Sequence, residues 1–149
     1  LPNSTAEADL HLLRASNPSF NSRRGNLSFV DGEGEARIIG SGWYPGDEDR
    51  GDVARIVFYV LMMWETNINL IGNLETFIKW HEEDPVDEFE IQRNQVIYAY
   101  QRNRNPFIDY PELVSIFYPT NEATAKSNIE DENLISYRQK NAHNYVHFL

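Results

Sequence analysis

The chain has 149 residues, a formal net charge of −10 and no cysteine. A chain of this length fits one domain around a single core, and its 41% of hydrophobic residues is enough to exclude wholesale disorder. The lack of cysteine excludes a disulfide scaffold or a thiolate metal site, and no apolar run approaches the roughly 20 residues of a membrane-spanning helix, so we expect no membrane partner.

The acidic net charge argues against a nucleic-acid partner, because affinity for nucleic acids depends largely on cations that replace the counterions of the phosphates. The distribution of the cations weakens this objection. Ten of the thirteen are arginines, and several stand in tight groups: Arg14 with Arg23 and Arg24, Arg50 with Arg55, and Arg93 with Arg102 and Arg104. Two interpretations stay open, a mixed solvated surface or local phosphate-binding sites on an acidic protein.

The first predicted elements lie in residues 10–49. Residues 10–15 are expected to form a short strand. Pro18 suits the first turn of a helix that runs to about Arg24 and ends at Gly25. Residues 27–49 hold five of the eight glycines, with β-favouring pieces at 27–30 and 36–39. This composition predicts a loose hairpin or a long surface loop.

Two helices are predicted between residues 53 and 83. Asp52 is expected to cap a helix over residues 53–65, whose apolar side chains leave almost no polar face, as in a central, buried helix. The second helix covers residues 73–83 and ends at Asp84, because Pro85 disfavours a helical conformation in the residue before it.

A further helix is predicted over residues 88–102. Asp87 and Glu90 form the pattern of a capping box at its start. Its apolar face is expected to consist of Phe89, Val96, Ile97 and Tyr100. One or two more turns run from Pro111 to Phe117, and residues 134–139 and 144–149 are predicted to form a terminal hairpin after a polar linker. We expect residues 1–117 to form the main domain and 118–149 a C-terminal extension of it.

The short helix after Pro18 carries two residues suited to phosphate chemistry. The amide oxygen of Asn21 is a ligand type that hard divalent cations prefer. Arg24 lies one turn later on the same face, where it can hold a phosphate. The alternative is that Asn21 caps or braces the turn and Arg24 pairs with Glu7 or Asp9. The residues alone do not decide between these roles.

A polar loop follows the helix at residues 88–102. Residues 101–105, Gln-Arg-Asn-Arg-Asn, place five hydrogen-bonding side chains in a row. They can donate to phosphates, or they can tie the loop down through bonds to its backbone. On the first interpretation Arg102, Arg104 and Asn105 are candidates for nucleic-acid contact, together with Arg14 near the start of the chain.

Five segments of the chain form one pattern. They are EADLHLL at 7–13, FNSRRGN at 20–26, RGDVAR at 50–55, DPVDEFEIQRN at 84–94 and QRNRNPFIDYPEL at 101–113. In order and spacing they resemble the bacterial endonuclease I family, which comprises periplasmic and secreted nonspecific nucleases with a His-Me finger (ββα-metal) active site. The resemblance covers about the first three-quarters of the chain and leaves the residues from 115 onward unmatched.

The resemblance implies an α+β, mainly helical fold with a His-Me finger core. It implies hydrolysis of phosphodiester bonds in DNA, with RNA as an alternative substrate, by a divalent metal ion, Mg²⁺ before Ca²⁺ or Mn²⁺. Asn21 matches the asparagine that completes the family's metal site. Arg14, Arg24, Arg102, Arg104 and Asn105 are expected to contact the nucleic acid. A secreted or periplasmic location follows from the same resemblance, whereas the oligomeric state does not.

The chain departs from the family in one respect. The family's Glu-His-Val-Trp-Pro segment, whose histidine activates water, is absent. His11 is a weak candidate for the base and is interpreted first as a structural hydrogen-bonding residue, His81 as a packed residue, and His143 and His147 as strand residues. We therefore expect a nuclease fragment, incomplete at its N-terminal side, as the start at Leu1 favours. The alternative is a degenerate homologue that binds nucleic acid, or acts as an interaction module, without cutting.

Overall fold

The computed structural model describes residues 6–64 and 66–119, apart from the side chain of Glu7. Six α-helices and one two-stranded antiparallel sheet make this part of the chain mainly helical with a small β component, which agrees with the expected α+β class. No helix in these residues is long and apolar enough to cross a membrane. The predicted terminal hairpin, with His143 and His147, falls outside the described residues.

The segment before the first helix turns instead of extending. Residues 10–15 were expected to form a strand, and this prediction is wrong, since Leu10–Leu12 forms a 3-10 turn. The Asp9 carboxylate accepts a hydrogen bond from the His11 backbone N–H at 2.9 Å, which fixes the turn. Helix α1, Pro18–Arg24, is confirmed, with an Asn17 side-chain cap and with Gly25 at a φ of 47° after its last residue.

The glycine-rich region forms a hairpin. Strand β1, Arg37–Ile39, pairs with strand β2, Gly42–Tyr44, and Ile38 lies opposite Trp43. Residues 27–30 contribute only a single parallel bridge between Phe29 and Trp43. Glycine is needed at position 42, because a Cβ there would lie 2.2 Å from Cγ1 of Val30. The hairpin prediction is confirmed, with its second strand later in the chain than the composition indicated.

Helix α2, Arg50–Trp64, is the central element of the fold. It begins three residues earlier than the residue 53 expected from an Asp52 cap, so Asp52 lies within the first turn and the capping prediction is wrong. Helix α2 packs against helix α3, Leu74–Glu83, which begins one residue later than predicted because Asn73 caps it, and whose end at Asp84 is confirmed. The buried residues around this contact form one core: Tyr44, Ala54, Val57, Phe58, Tyr59, Phe77, Ile78, Trp80, Phe107 and Val114.

Helix α4, Glu88–Gln101, is confirmed together with its Asp87 capping box, but it buries a different face from the one predicted. Three of the four apolar residues assigned to its inner side are 51–81% exposed: Phe89, Val96 and Tyr100. The fourth, Ile97, is buried as predicted, and the other buried positions are Glu90 and Asn94. The apolar pattern was misleading because this helix is held mainly by buried polar bonds, which favour polar residues on its inner face.

Two short helices complete the described chain. Helix α5, Pro106–Asp109, was missed, although Asn105 caps it by accepting a hydrogen bond from the Phe107 backbone N–H at 3.0 Å. Helix α6, Leu113–Phe117, agrees with the turns predicted from Pro111 to Phe117. Their apolar residues Phe107 and Val114 are buried in the core beside α2.

A fully buried arginine in α2, Arg55, joins this helix to α4 and to the segments just after α3 and just before α5. The guanidinium of Arg55 in α2 donates to both carboxylate oxygens of Glu90 in α4, at 2.7 and 2.6 Å, and to the carbonyl oxygen of Asp84 at 2.8 Å. The backbone carbonyl of Arg55 accepts from the Asn105 side chain at 3.0 Å. Gly51 permits this approach, because a Cβ there would lie 2.0 Å from the Asp84 carbonyl oxygen.

We expect the change Arg55→Met to lower the free energy of unfolding by about 3–5 kcal/mol, because it leaves the Glu90 carboxylate buried without its partner. The double change Arg55→Met with Glu90→Leu should recover much of this loss. Urea denaturation measures both effects. Lys79→Met, which breaks an exposed ion pair with Asp31, is the control and should leave the unfolding midpoint nearly unchanged. Equal midpoints for Arg55→Met and Lys79→Met would contradict a structural role for Arg55.

Candidate nucleic-acid interface

An open cavity of about 460 Å³ lies between α1, the hairpin and one face of α2. Its floor consists of four α2 residues whose spacing places them on one side of the helix, Val53, Ile56, Val57 and Val60. Aromatic residues from α1, from the bridge and from β2 form the walls: Phe20, Phe29 and Trp43. The cavity is therefore largely apolar, with few polar groups around it.

Three of the six residues expected to bind metal or nucleic acid line this cavity, namely Arg14, Asn21 and Arg24. The remaining three residues, Arg102, Arg104 and Asn105, follow α4 and do not line it. Arg14 and Arg24 come from the segments on either side of Pro18, so the helix prediction alone did not bring them together. The cavity combines two cations and one amide with an apolar floor.

Arg24 is the cation of the cavity that has no carboxylate partner among the described side chains. No carboxylate in the described residues forms a salt bridge with it, the undescribed Glu7 side chain aside, and Asp9, one of the partners considered, instead accepts a hydrogen bond from Tyr59 at 2.6 Å. The guanidinium carbon lies 4.8 Å from the centre of the Phe29 ring. Its Nε is buried without a hydrogen-bond partner in the described residues, and burial lowers the pKa of Arg24 below its ordinary value. Arg24 thus keeps donors for an anion.

Arg14 differs from Arg24 because two carboxylates neutralise it. Its Nη2 lies 2.5 Å from Asp49, and its Nη1 donates to Asp52. The Arg14 side chain is 30% exposed, whereas that of Asp52 is 9% exposed. These pairs hold the guanidinium beside the N-terminal end of α2, so Arg14 is a fixed group at the edge of the cavity.

Asn21 is exposed on α1, and its side chain makes no hydrogen bond with the described residues. The helix cap is Asn17, whose side chain accepts from the Ser19 backbone N–H at 2.9 Å. The structure therefore does not use Asn21 as the cap of α1. Its amide oxygen is available to a ligand at the cavity.

The loop after α4 is held by its own side chains. Arg104 donates to both carboxylate oxygens of Asp109 at 2.6 and 2.7 Å. Asn105 is 1% exposed and bonds to Asn94 and to the backbone of Arg55. Arg102 remains exposed. The structure thus contains the bonds expected if the loop is tied down, and phosphate contacts from Arg102, Arg104 and Asn105 stay predictions.

His11, in the turn Leu10–Leu12, is fully buried in a network of polar side chains. Its Nε2 lies 3.4 Å from the carbonyl oxygen of Asn103, and its ring centre lies 4.7 Å from that of Tyr59. Burial lowers the pKa of the imidazole, against the opposing charge of Asp9. Gln101 completes the network by donating to Asp9 at 2.7 Å. This environment fits a structural hydrogen-bonding residue, and a role for His11 as a base stays a prediction.

His81 lies on α3 and packs against the segment before α6. Its Nε2 lies 3.1 Å from the carbonyl oxygen of Pro111, and its Nδ1 lies 3.4 Å from Nη1 of Arg55. Burial and the charge of Arg55 lower the pKa of His81. The neutral ring with its proton on Nε2 satisfies both contacts. Among the described residues no histidine lines the cavity.

One acidic group in the described residues has metal-binding spacing. Carboxylate oxygens of Asp52, Asp87 and Glu90 lie within 4.8 Å of one another. Two guanidinium groups already neutralise it, since Arg14 pairs with Asp52 and Arg55 with Glu90. A divalent cation does not fit there without displacing them. The sequence patterns indicated these carboxylates as helix caps, so their proximity across α2 and α4 was missed.

At the cavity itself the oxygen ligands are fewer. Asn21 offers one neutral amide oxygen, and Asp49 is the carboxylate among the lining residues. A hard cation such as Mg²⁺ commonly keeps several waters and binds phosphate oxygens as well as one or two protein groups. Asn21 is therefore compatible with a metal site in which water and substrate supply further ligands.

A family model of endonuclease I matches residues 2–112. The chain belongs to the endonuclease I family. This endonuclease I chain is 39% identical to a protein of Bacillus amyloliquefaciens named extracellular ribonuclease, with 70% of the chain and 44% of the relative covered. It is 36% identical to an extracellular ribonuclease of Bacillus subtilis (strain 168), with 74% and 46% covered. The chain spans less than half the length of these curated relatives, and no solved structure matches it.

The segments that resemble endonuclease I contribute residues to two parts of this structure, the cavity and a buried ion pair. The segment at 20–26 contributes Asn21 and Arg24 to the cavity. The segments at 50–55 and 84–94 contribute the buried pair of Arg55 and Glu90. Asp52 connects these two parts, because it pairs with Arg55 in the core and with Arg14 at the edge of the cavity. The endonuclease I pattern therefore includes residues that support the fold as well as residues at the cavity.

Asp52 also makes the stability of the endonuclease I fold depend on pH. Burial, followed by the charge of Glu90, raises the pKa of the Asp52 carboxyl from 3.8 to about 6. The folded state therefore binds this proton more tightly than the unfolded state. As a result, the contribution of Asp52 to the free energy of unfolding decreases as the pH rises from about 4 to about 6 and is constant outside that window.

We expect Asp52→Asn to remove this contribution. The free energy of unfolding of the variant, relative to the wild type, should rise by about 1–3 kcal/mol from pH 4 to pH 6, because asparagine has no proton to lose. Urea denaturation at a series of pH values measures the difference. Arg14→Gln is the complementary variant: since Arg14 favours the ionised carboxylate, its loss should extend the decrease to higher pH. Parallel profiles for wild type and Asp52→Asn would contradict the assignment.

Proposed function

We propose that this chain is the nucleic-acid-binding part of a metal-dependent endonuclease that hydrolyses phosphodiester bonds in RNA, with DNA as a second substrate. The observation that carries the proposal is the cavity, where Asn21 and Arg24, predicted on one helix face, meet Arg14 from the segment before the helix. Membership of the endonuclease I family supports the reaction class. The names of the two Bacillus relatives favour RNA and a location outside the cell.

Each polar residue of the cavity has a distinct proposed role. Arg24, whose charge is unpaired among the described residues, binds a substrate phosphate through its free donors. Asn21 is a ligand of the divalent metal, Mg²⁺ before Ca²⁺ or Mn²⁺. When bound, the metal supplies stabilisation of the charge that develops on the phosphate. Arg14, held by Asp49 and Asp52, contributes a fixed guanidinium whose remaining N–H donors orient the strand.

The residues beyond the cavity extend the proposed binding surface. Arg102 lies directly after α4 and is the exposed residue of the loop at 101–105. It is therefore the loop residue most accessible to a phosphate backbone. Arg104 can add to this contact with donors that its bonds to Asp109 and Gln95 leave free. Asn105 would have to leave its buried bonds to touch a phosphate, so its proposed effect is on the position of the loop.

Binding without cleavage is the second candidate function. It is favoured by the full burial of His11 and by the absence of a histidine from the cavity within the described residues. A water-activating base commonly has a pKa near the working pH and lies within hydrogen-bond distance of the attacking water. Neither described histidine meets both conditions.

We expect the change Asn21→Ala to lower metal-dependent cleavage at least about tenfold, because a ligand of the proposed metal is lost. Labelled RNA and DNA of the same sequence are incubated with the 149-residue chain, with Mg²⁺ or with a chelator. The affinity for Mn²⁺, measured by electron paramagnetic resonance, should fall in parallel. Asn26→Ala, an exposed asparagine outside the cavity, is the matched control and should change neither property.

Three results distinguish the candidates. Cleavage and Mn²⁺ binding that both survive in Asn21→Ala would overturn the metal assignment. RNA binding without cleavage by this chain would favour the second candidate. Absence of both binding and cleavage by a chain with the far-ultraviolet circular dichroism expected of a helical fold would contradict the proposed function itself.

We expect Arg24→Ala to weaken RNA binding about tenfold at low salt, through loss of one charge-assisted phosphate contact. The slope of log affinity against log salt concentration should fall by about one. Fluorescence anisotropy in a chelator measures binding apart from cleavage. Arg37→Ala removes one exposed charge outside the cavity and serves as the control. Equal losses of affinity in the two variants would reduce the role of Arg24 to general electrostatics.

A further inference from the structure

The apolar part of the cavity has no role in the function proposed so far. The phosphate and metal roles use Arg14, Asn21 and Arg24, whereas most of the lining residues are aliphatic or aromatic. Phe20 is 41% exposed at the wall, and Val53, Ile56 and Val60 on the floor are only half-buried. Exposed apolar surface commonly marks an interaction site, and beside Arg24 it complements an occupant that has both an apolar face and a negative charge.

The geometry of the walls fits a flat ring. The Phe20 and Trp43 rings pack on each other, with their centres 6.3 Å apart and a tilt of 56°, so an entering ring lies against this pair and not between its members. Phe29 lies under the guanidinium of Arg24. A volume of about 460 Å³ lies in the range of roughly 300–1,000 Å³ typical of small-molecule pockets. It has room for a nucleobase, but a double helix does not enter it.

We propose that the cavity accepts one unpaired nucleobase of a single-stranded RNA, which lies against Phe20 and the apolar floor of α2 while its neighbouring phosphate binds Arg24. The inference rests on the proposed function, because it names the form of substrate that the same cavity takes. It adds Phe20 as a residue that determines specificity for strand form.

Charge and stacking together select this occupant. Arg24, which has no carboxylate partner among the described side chains, supplies the positive charge that a phosphate complements, and it lines the same cavity as the exposed Phe20 ring. Every base has an apolar face, and stacking of bases on aromatic side chains is therefore tolerant of sequence. A base inside a duplex must first be unstacked and unpaired, which costs free energy. Single strands are accordingly favoured over duplexes, with little preference among the four bases.

Binding of three labelled ligands to the 149-residue chain tests the inference, by fluorescence anisotropy in a chelator. The ligands are a single-stranded oligouridylate, an abasic ribose-phosphate strand of equal length, and an RNA duplex of equal length. We expect the base-bearing single strand to bind about tenfold more tightly than either of the others. Phe20→Ala should abolish this difference and leave binding of the abasic strand unchanged, while Phe20→Trp should retain it.

Two further variants separate occupation of the cavity from general effects. Ala15→Trp adds bulk at an exposed lining position and should reduce affinity for the base-bearing strand alone. Tyr100→Ala removes an aromatic ring that is 81% exposed on α4, outside the cavity, and should have no effect. Thermal denaturation shows whether each variant folds, and Phe20→Trp keeps the test decisive if Phe20→Ala does not.

The outcomes also separate this inference from the proposed function. Equal affinity for base-bearing and abasic strands, with Arg24→Ala still weakening both, would overturn the nucleobase site and leave the phosphate site intact. Equal or tighter binding of the duplex would likewise overturn it. Absence of binding to all three ligands would contradict the proposed function as well.

Discussion

The buried guanidinium of Arg55 fixes how three helices meet. A charge removed from water requires a partner with good geometry, and the two oxygens of Glu90 provide one at 2.6 and 2.7 Å. The guanidinium also donates to the carbonyl oxygen of Asp84, just after α3. The backbone carbonyl oxygen of Arg55 accepts a hydrogen bond from the side chain of Asn105, just before α5. The approach is so close that Gly51 leaves no room for a side chain. Moving any of these helices would leave a buried charge or amide unsatisfied.

This arrangement decides which sides of α2 face the core and which face the cavity. Ala54 and Phe58 are fully buried in the core, while Val53, Ile56 and Val60 remain at the floor of the cavity. The N-terminal segment is fastened to α4 by Arg93, which donates to the carbonyl oxygens of Leu10 and Leu13 at 2.8 and 2.6 Å. These bonds carry Arg14 to the edge of the cavity, where Asp49 and Asp52 hold it. The hydrogen bonds that hold the N-terminal segment against α4 thus also determine the position of the Arg14 guanidinium.

Part of the proposed site could be predicted because it depends on local chemistry. Asn21 and Arg24 stand one turn apart in a helix whose start at Pro18 and end at Gly25 were both visible in the sequence. The polar loop was ambiguous for a physical reason, because the same donors serve a phosphate or a backbone, and Arg104 and Asn105 found partners within the fold. The cavity could not be predicted, since its lining residues come from separate segments spread over residues 12–71.

Local features could be predicted from the sequence: the Asp87 cap, the breaks at Gly25 and Asp84, and the segments that resemble the endonuclease I family. Only the tertiary structure decided which face of α4 is buried and which cations are neutralised. Glu90 lies 35 residues from Arg55, and Asp52 lies 38 residues from Arg14. Hydrogen-bond partners at such separations are chosen by the packing of helices, whereas capping and helix ends depend on neighbours within a few residues.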